Sequence, residues 1–249
     1  MKVVACYNVK GGVGKSTLAA NLAWAAATLS CRRTLLWDLD PQGDGGFLLG
    51  IDRRPGDEAL SVFAHSAIDR PPVVSTTTAR LDVLPADPSL RQADGFLAKV
   101  GKKRRLAKIA ASLDEHYDRI ILDCPPVMNE LSSQILRAAD AIVVPLTASP
   151  LALRGLSDVL DDLRRNHGNH APVLPVFAMF DARRKLHAEA RALHPEWPVI
   201  PMTSLVERMG VMRLPIGEFA PKSPAADAIR ALWSSIERDL VDRGGSGRR

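Results

Sequence analysis

The feature that most constrains the fold is the stretch 2–17, where a short apolar run passes through a glycine-rich turn into an alanine-rich helical pattern. The run KVVACYN predicts a strand, and the pattern from Lys15 to about Leu29 predicts a helix. The next apolar run, RRTLLWDLD, predicts a second buried strand that ends in two carboxylates. Strand, turn, helix and strand form a βαβ unit, which implies parallel strands and a right-handed crossover.

The same alternation continues along the chain. Further strands are predicted at LDVLPA, DRIILDCPP, DAIVVPL, PVLPVFAMFD and PVIPM, and helices at about 88–98, 103–115, 129–139, 150–166 and 224–242. Residues 43–78, with glycines, prolines and the run STTT, predict an irregular excursion from the sheet. The pattern predicts an α/β fold, a doubly wound and mostly parallel sheet flanked by helices on both faces, with ligands at the carboxyl ends of the strands. Residues 1–243 are expected to form one domain, and residues 244–249 a disordered tail.

Composition narrows the class of protein only slightly. With 249 residues, 46% of them hydrophobic and 24% charged, the chain resembles an ordinary soluble globular protein. Its formal net charge of +5 permits contact with nucleic acid or an anionic membrane but requires neither. The three cysteines lie far apart without metal-ligand spacing, which indicates buried thiols in a reducing compartment. Because no apolar run suits a signal peptide or a membrane span, a cytoplasmic protein is expected.

The turn KGGVGKST predicts a phosphate-binding loop. Its glycines let backbone N–H groups turn toward an anion at the positive end of the following helix. Lys15 would reach the β- and γ-phosphates, and the hydroxyl of Ser16 would bind Mg²⁺. Val9 stands where the general phosphate-loop pattern has its first glycine, so the loop departs from the common form.

Carboxylates follow two of the predicted strands. Asp123 comes after the apolar run RIIL and before CPP, where a Walker B aspartate would hold Mg²⁺ through water. Asp40 ends the strand after the first helix, where it can face the γ-phosphate and can orient and partly deprotonate a water. Asp38 is left open as a residue that orients its neighbours or caps a helix.

Four segments resemble, in order and over nearly all of the chain, the ParA/MinD family of deviant Walker A P-loop ATPases. They are KGGVGKST for the loop, LLWDLDPQGD for switch I, YDRIILDCPP for Walker B, and LALRGLSDV for the helix that follows. The resemblance also explains the second lysine of the loop. In that family the lysine matching Lys10 reaches across a nucleotide-sandwich dimer, where two facing nucleotides would repel each other without added cations.

The resemblance implies ATP and Mg²⁺ as cofactors and assigns the site residues. The catalytic residues would be Lys10, Lys15 and Asp40, and Mg²⁺ would be held by Ser16 and, through water, by Asp40 and Asp123. The nucleotide-binding residues would be Lys10, Gly11, Gly12, Val13, Gly14, Lys15, Ser16 and Thr17, with adenine contacts from the backbone at Phe180, Asp181, Pro201 and Met202.

Within the family, the residues favour a short ParA type. The spacing of the cysteines does not suit the cluster ligands of nitrogenase iron proteins, and neither tyrosine lies in a terminal segment, as the tyrosines of bacterial tyrosine kinases do. The Asn-Lys-x-Asp motif with which related GTPases recognise guanine is absent from the sequence, which favours ATP. The tail GGSGRR lacks the apolar half of a membrane-anchoring helix, so stable membrane anchoring is not expected. Because the sequence begins at the first strand, an amino-terminal operator-reading domain is not expected either.

The function that this resemblance implies is a slow, Mg²⁺-dependent ATPase that forms a homodimer with ATP. It would bind DNA without sequence preference and would segregate or position a cargo, either a plasmid or chromosome partition complex or a protein cluster. A ParB-like or cargo-linked protein would activate it. The protein would be cytoplasmic and associated with the nucleoid.

The carboxyl-terminal third departs from the family pattern. Where short ParA proteins have PRNVRLSEAP, this chain has PMTSLVERMGVMRLP, and APKSPAA stands in place of DPRSRGA. Switch I reads DPQGDGG instead of the more usual DPQGNAT. Two basic clusters, GKKRR at 101–105 and DARRKLH at 181–187, are also candidates for DNA contact. The candidate DNA-binding residues are Arg183, Arg184, Lys185, Arg208, Arg213 and Lys222.

Two other functions stay open on the sequence. An ATP-switched regulatory adaptor would bind ATP but not DNA. A synthetase on the same fold, such as dethiobiotin synthetase or an amidating enzyme, would use ATP to activate a carboxylate. Such synthetases work without a lysine at the position of Lys10, whose presence argues against them.

Overall fold

Among the residues described by the computed structural model (1–52, 59–64, 67, 71–101, 103–166, 168 and 170–246), eight strands form one sheet in the order β3-β4-β2-β5-β1-β6-β7-β8. The strands are β1 (Lys2–Cys6), β2 (Thr34–Asp38), β3 (Val74–Ser75), β4 (Leu81–Leu84), β5 (Arg119–Asp123), β6 (Ala141–Leu146), β7 (Val173–Phe180) and β8 (Val199–Pro201). Strand β3 is antiparallel to β4, and the other neighbouring pairs are parallel.

Helices connect the strands and cover both faces of the sheet. They are α1 (Lys15–Leu29), α2 (Asp44–Leu48), α3 (Ala93–Val100), α4 (Arg105–Ser112), α5 (Glu130–Ala138), α6 (Pro150–Asn166), α7 (Lys185–Leu193), α8 (Leu205–Met212), α9 (Ile216–Phe219) and α10 (Pro224–Ser246), with 3₁₀ turns at Ala59–Ala64 and Pro88–Gln92. This architecture confirms the predicted doubly wound, mostly parallel α/β fold.

The core lies in two layers, one on each face of the sheet. On one face α1 packs with α10 against the strands, and Trp24 and Trp233 are buried there. On the other face the sheet is covered by α3 to α6, and Phe63 stacks on Trp37 with ring centroids 6.0 Å apart. The central strands β1, β2, β5 and β6 are buried almost throughout, which is why they appear in the sequence as continuous apolar runs.

The predicted strands and helices are present, with differences at their ends. The helix predicted at 88–98 is a 3₁₀ turn, capped by the side chain of Asp87, that leads into α3. The excursion at 43–78 contains α2, the 3₁₀ turn Ala59–Ala64 and β3. Helices α7 and α8 were not predicted, because their many exposed residues give no clear apolar stripe, and α9 was not predicted, because its four residues are too few to show one.

The last helix, α10, is longer than the predicted 224–242 and ends at Ser246. Residues 247–249 of the predicted tail lie outside the described residues. No helix in the described part of the chain is both long enough and apolar enough to cross a membrane.

Candidate nucleotide-binding site

The phosphate loop joins β1 to α1 near the centre of the sheet. Gly12 and Gly14 have φ angles of +70° and +89°, which favour glycine, and Gly14 is the residue that precedes the first turn of α1. A Cβ atom placed on Gly11, Gly12 or Gly14 would meet nothing within 4 Å, so the space above the loop is open. This backbone can direct N–H groups toward an anion at the start of a helix.

Asn8 fixes the start of the loop. Its side chain is buried, and Nδ2 donates to the carbonyl of Pro145 on β6 at 2.8 Å. Its Oδ1 accepts from the N–H of Lys10 at 2.9 Å. Asn8 is not among the residues predicted from the sequence, although a polar side chain between a buried strand and the first glycine is a signal that could have identified it.

The two lysines of the loop have different surroundings. Lys15 is buried at the start of α1, and its Nζ donates to the carbonyl of Lys10 at 3.1 Å. Burial lowers the pKa of Lys15, while the charges of Asp123 and Asp40 act in the opposite direction. Lys10, in contrast, is exposed. Lys15 is therefore bound to its own loop, whereas Lys10 is accessible to another molecule.

Asp38 organises the segment that follows β2. It is fully buried, its Oδ1 accepts from the N–H of Asp40 at 3.1 Å, and its Oδ2 accepts from the N–H of Gly46 at 3.0 Å. Burial raises the pKa of Asp38 to about 7, against the effect of these two hydrogen bonds. Asp38 thus orients Asp40 and also binds the first turn of α2. The sequence left open whether Asp38 orients its neighbours or caps a helix, and these two contacts correspond to both roles.

Asp123 lies beside Asp38 in the register of β5 and β2. Both of its carboxylate oxygens are buried, and neither accepts a hydrogen bond of normal geometry from the described residues. Burial, and then the charge of Asp38, raise the pKa of Asp123 well above its ordinary value, and the nearby Ser16 hydroxyl lowers it in part. Two unpartnered carboxylate oxygens beside a hydroxyl and a phosphate loop fit the oxygen ligands that Mg²⁺ prefers.

Helix α2 covers these carboxylates. A Cβ atom on Gly45 would lie 2.8 Å from Oδ2 of Asp123 and 3.0 Å from Oδ2 of Asp38. A side chain at this position would therefore push α2 away from the candidate metal site. Gly45 is the first glycine of the pair in DPQGDGG. The lack of space for a side chain explains why glycine fits this position, which the sequence alone did not reveal.

A cavity of about 760 Å³ extends from the phosphate loop to β7 and β8. We call residues 8–17, 38–48 and 123 the phosphate wall, and residues 178–179 and 200–207 the carboxyl-terminal wall. The cavity lining includes Gly11 to Thr17, Asp40, Gln42, Asp44, Phe47, Leu48, Ala178, Met179, Ile200, Pro201, Met202, Thr203, Val206 and Glu207.

On the β7 side, the residues that line the cavity lie two positions before the predicted adenine contacts. Pro201 and Met202 line the cavity, but Phe180 and Asp181 do not, and Ala178 and Met179 take their place. The reason is an irregularity in the pairing of β7 with β8, where Met179 has a φ of +51°. Such a break in strand alternation cannot be read from the sequence.

The cavity is also lined by side chains that are not among the predicted site residues. Asn21 of α1 accepts the N–H of Ile216 at 3.0 Å and donates to the carbonyl of Thr17 at 2.7 Å. Gln42, Phe47 and Glu207 line the cavity as well. Asn21 carries a sequence signal, since it is a polar residue in an otherwise apolar and buried helix.

The candidate DNA-binding residues differ in how available their charges are. Arg184, Lys185, Arg208 and Lys222 are exposed. Arg183 is exposed too, but its guanidinium pairs with Asp181 at 2.8 Å and lowers the pKa of that carboxyl to about 2. Arg213 is partly buried and binds Phe47 and Asp52.

The cluster GKKRR is less basic at its surface than its sequence indicates. Arg105 is buried, and its Nε donates to the carbonyl of Phe63 at 2.9 Å. Lys103 and Arg104 are exposed, and Lys102 lies outside the described residues.

The fold, the glycine loop and the buried carboxylates at neighbouring strand ends define a P-loop nucleotide-binding protein. A family model described as an AAA domain matches residues 1–174. The chromosome-partitioning ATPase Soj of Thermus thermophilus is 35% identical over 250 residues, covering 94% of each chain. The chromosome partitioning protein ParA of Caulobacter vibrioides is 37% identical over 194 residues, covering 75% of this chain and 72% of that protein. The chain belongs to the ParA/MinD family of P-loop ATPases.

Solved structures show the same fold. Apo McdA from Cyanothece superposes with a TM-score of 0.83 at 22% identity, covering 95% of this chain and 99% of that one. A structure described as cobyrinic acid a,c-diamide synthase from Mycobacterium smegmatis, with a bound ATP analogue and magnesium, has a TM-score of 0.76 at 31% identity, covering 96% and 94%. Nucleotide and magnesium binding therefore occur among proteins related to this chain.

Proposed function

We propose that this protein is an ATPase that dimerises with ATP, binds DNA without sequence preference, and segregates or positions a cargo. The proposal rests mainly on the exposure of Lys10. This lysine is exposed on a loop whose other lysine is buried and already bound to the loop backbone. A second cation in this place suits two nucleotides that face each other across a dimer, because their phosphates would otherwise repel.

The phosphate wall supplies the groups needed for hydrolysis. Lys15 would contact the β- and γ-phosphates, and Ser16 and, through water, Asp40 and Asp123 would hold Mg²⁺. When bound, Mg²⁺ would neutralise charge that develops on the phosphates. Asp40 would orient and partly deprotonate the attacking water, and the hydrogen bond from its N–H to Asp38 fixes the backbone that carries this carboxylate.

DNA binding would follow from dimerisation. Each protomer exposes a few cations on its carboxyl-terminal elements, among them Arg184, Lys185, Arg208 and Lys222. Two such faces in one dimer form a bivalent site, so binding would depend on ATP and would weaken steeply as salt increases. The similarity to relatives that are named as chromosome-partitioning proteins supports this function. The protein would then be associated with the nucleoid, and a ParB-like or cargo-linked protein would activate it.

An ATP-dependent synthetase is the second candidate, favoured by the 31% identity to the structure described as cobyrinic acid a,c-diamide synthase. Such an enzyme would turn over ATP quickly only when a small carboxylate and a nitrogen donor are present. A partition-type ATPase would turn over slowly and respond to DNA and a protein partner. Rates of ATP hydrolysis with each set of additions distinguish the two candidates.

The proposal is tested with wild type, Lys10→Ala and Asp40→Ala. Light scattering measures the dimer, and DNA association is measured with ATP, ADP and no nucleotide at two salt concentrations. We expect Lys10→Ala to bind ATP but not to dimerise, because only the contact to the partner's phosphates is lost. We expect Asp40→Ala to accumulate the ATP dimer, because water activation is lost while Ser16 and Asp123 remain.

The control is Lys108→Ala, which removes an exposed lysine from α4 and should leave dimerisation unchanged. A normal ATP-induced dimer in Lys10→Ala would contradict the role of Lys10 across the dimer. An ATP-bound wild-type dimer that fails to associate with DNA even at low salt would favour the ATP-switched adaptor instead.

A further inference from the structure

Arg213 connects two neighbouring elements that both line the cavity, α8 and α2. It follows the last residue of α8, and its Nε donates to the carbonyl of Phe47, the fourth residue of α2, at 3.2 Å. Its guanidinium lies over the Phe47 ring, 4.7 Å from the centroid, and forms an ion pair with Asp52 at 2.8 Å. These contacts span the turn from Phe47 to Asp52.

The elements that Arg213 joins both form the rim of the cavity. Phe47 and Leu48 line it from α2, and Val206 and Glu207 line it from α8. Helix α2 is also bound to the metal side of the site, since the N–H of Gly46 donates to Asp38. A contact that holds α2 against α8 therefore acts on the rim and on the candidate metal site together.

The backbone at Arg213 is unfavourable for an arginine. Its φ angle is +54°, a left-handed conformation that costs a non-glycine residue free energy. Its carbonyl oxygen lies 3.6 Å from the position that a Cβ would take on Gly50, so the main chains of the two turns are also close. A side chain in such a backbone position, with three separate contacts to α2 and the turn that follows it, indicates a positional role.

We infer that Arg213 is a positioning residue that holds α2 against α8 and thereby slows the release of nucleotide from the cavity. The inference rests on the proposed function, because it takes this cavity as the nucleotide site. It gives Arg213 a use different from the DNA contact that the sequence predicted. Arginine suits this use because its planar guanidinium can stack on a ring and donate several hydrogen bonds at once.

The test is Arg213→Gly in the full-length protein, with stopped-flow displacement of fluorescent ATP and ADP. Glycine accepts the left-handed backbone, so the melting temperature should not fall. We expect nucleotide dissociation to become about tenfold faster, equivalent to about 1.4 kcal/mol, with little change in the association rate. Arg213→Lys should restore only part of the slow release, because lysine keeps the charge but not the planar contact.

The matched control is Arg80→Gly. Arg80 is an exposed arginine with a φ of +66° in the turn before β4. Its substitution therefore places glycine in the same left-handed backbone conformation, but away from α2 and α8. Asp52→Asn should accelerate release by only about twofold, because Asp52 is 75% exposed. In the Arg213→Gly background it should have no further effect, since the contact is already lost.

Each outcome bears on a different claim. Release from Arg213→Gly at the wild-type rate, or equal acceleration by Arg80→Gly, would overturn the inference alone. Tight nucleotide binding by a wild-type protein that neither dimerises nor associates with DNA would overturn the proposed function alone. Wild-type protein that does not bind fluorescent ATP would overturn both.

Discussion

The two walls of the cavity are built in different ways. The phosphate wall lies at the carboxyl ends of β1, β2 and β5 at the centre of the sheet. Three of its charged side chains, Lys15, Asp38 and Asp123, are buried, while Lys10 is exposed. The carboxyl-terminal wall follows β7 and β8 at one edge of the sheet, and its Met202 is 63% exposed. The family model ends at residue 174, so it covers the first wall and stops where β7 begins.

The difference has a chemical reason. Phosphates and Mg²⁺ require charges and backbone N–H groups at fixed positions, so the residue types of the phosphate wall leave little freedom. A base needs mainly a cleft of suitable shape and a few main-chain contacts, which many sequences can provide. The residue types of the carboxyl-terminal wall are therefore less constrained than those of the phosphate wall.

Among substitutions that compare the two walls, Lys15→Ala should have the largest effect on ATP binding. Removing this buried cation from the phosphate wall should weaken ATP binding by about 3 kcal/mol, or roughly 100-fold. Met202→Ala, on the opposite wall, should weaken it less than about threefold, because an exposed side chain contributes little buried apolar area. Calorimetry on both variants checks the contrast, and comparable losses would show that the walls do not differ in this way.

A smaller effect should come from Gly45→Ala, with Gly46→Ala as its control. The new Cβ at Gly45 would press on Asp123 and Asp38, whereas at Gly46 its nearest neighbour, a methyl group of Val83, would be 3.6 Å away. We expect ATP hydrolysis to fall by about tenfold in Gly45→Ala, on the scale of a small displacement at a catalytic centre, and to change little in Gly46→Ala. Equal hydrolysis rates would mean that α2 can move without affecting the carboxylates.

The smallest effect concerns pH. The pKa of Asp38 is about 7 in the folded protein and about 4 when unfolded, so between these values only the folded state holds the proton. Stability from this group is therefore present at low pH and is lost as pH rises through about 7. We expect metal-free protein to lose about 1 kcal/mol of unfolding free energy between roughly pH 6 and 8.

Thermal melts over this pH range, with and without Mg²⁺, test the titration. Mg²⁺ should stabilise the protein more at the higher pH, because the ionised carboxylates of the phosphate wall bind a cation better. Asp38→Asn should make the metal-free profile less steep, and the remaining slope should come from Asp123, whose pKa is also raised by burial. A metal-free melting temperature that rises with pH in wild type but not in Asp38→Asn would contradict the assignment.

The order of elements and the phosphate loop were accessible from the sequence, because both depend on local patterns. The buried strands are continuous apolar runs, and KGGVGKST places its glycines and Lys15 between a strand and a helix. The carboxylates Asp38, Asp40 and Asp123 were found for the same reason, since each lies at or just after the end of a strand. Helices α7 and α8 were missed because their exposed residues leave the hydrophobic period weak, and α9 because it is only four residues long.

By itself, the sequence determined the fold class, the family, the phosphate loop and the carboxylates Asp38, Asp40 and Asp123, since these follow from hydrophobic period, spacing and residue chemistry. Only the tertiary structure decided which residues meet across the cavity. It brought Phe47 to Arg213 over 166 positions, placed Gly45 next to Asp123, and placed Ala178 and Met179 of β7 in the cavity lining. Such contacts depend on how separate elements pack and on where a strand breaks its alternation, and neither is written in any local stretch of the chain.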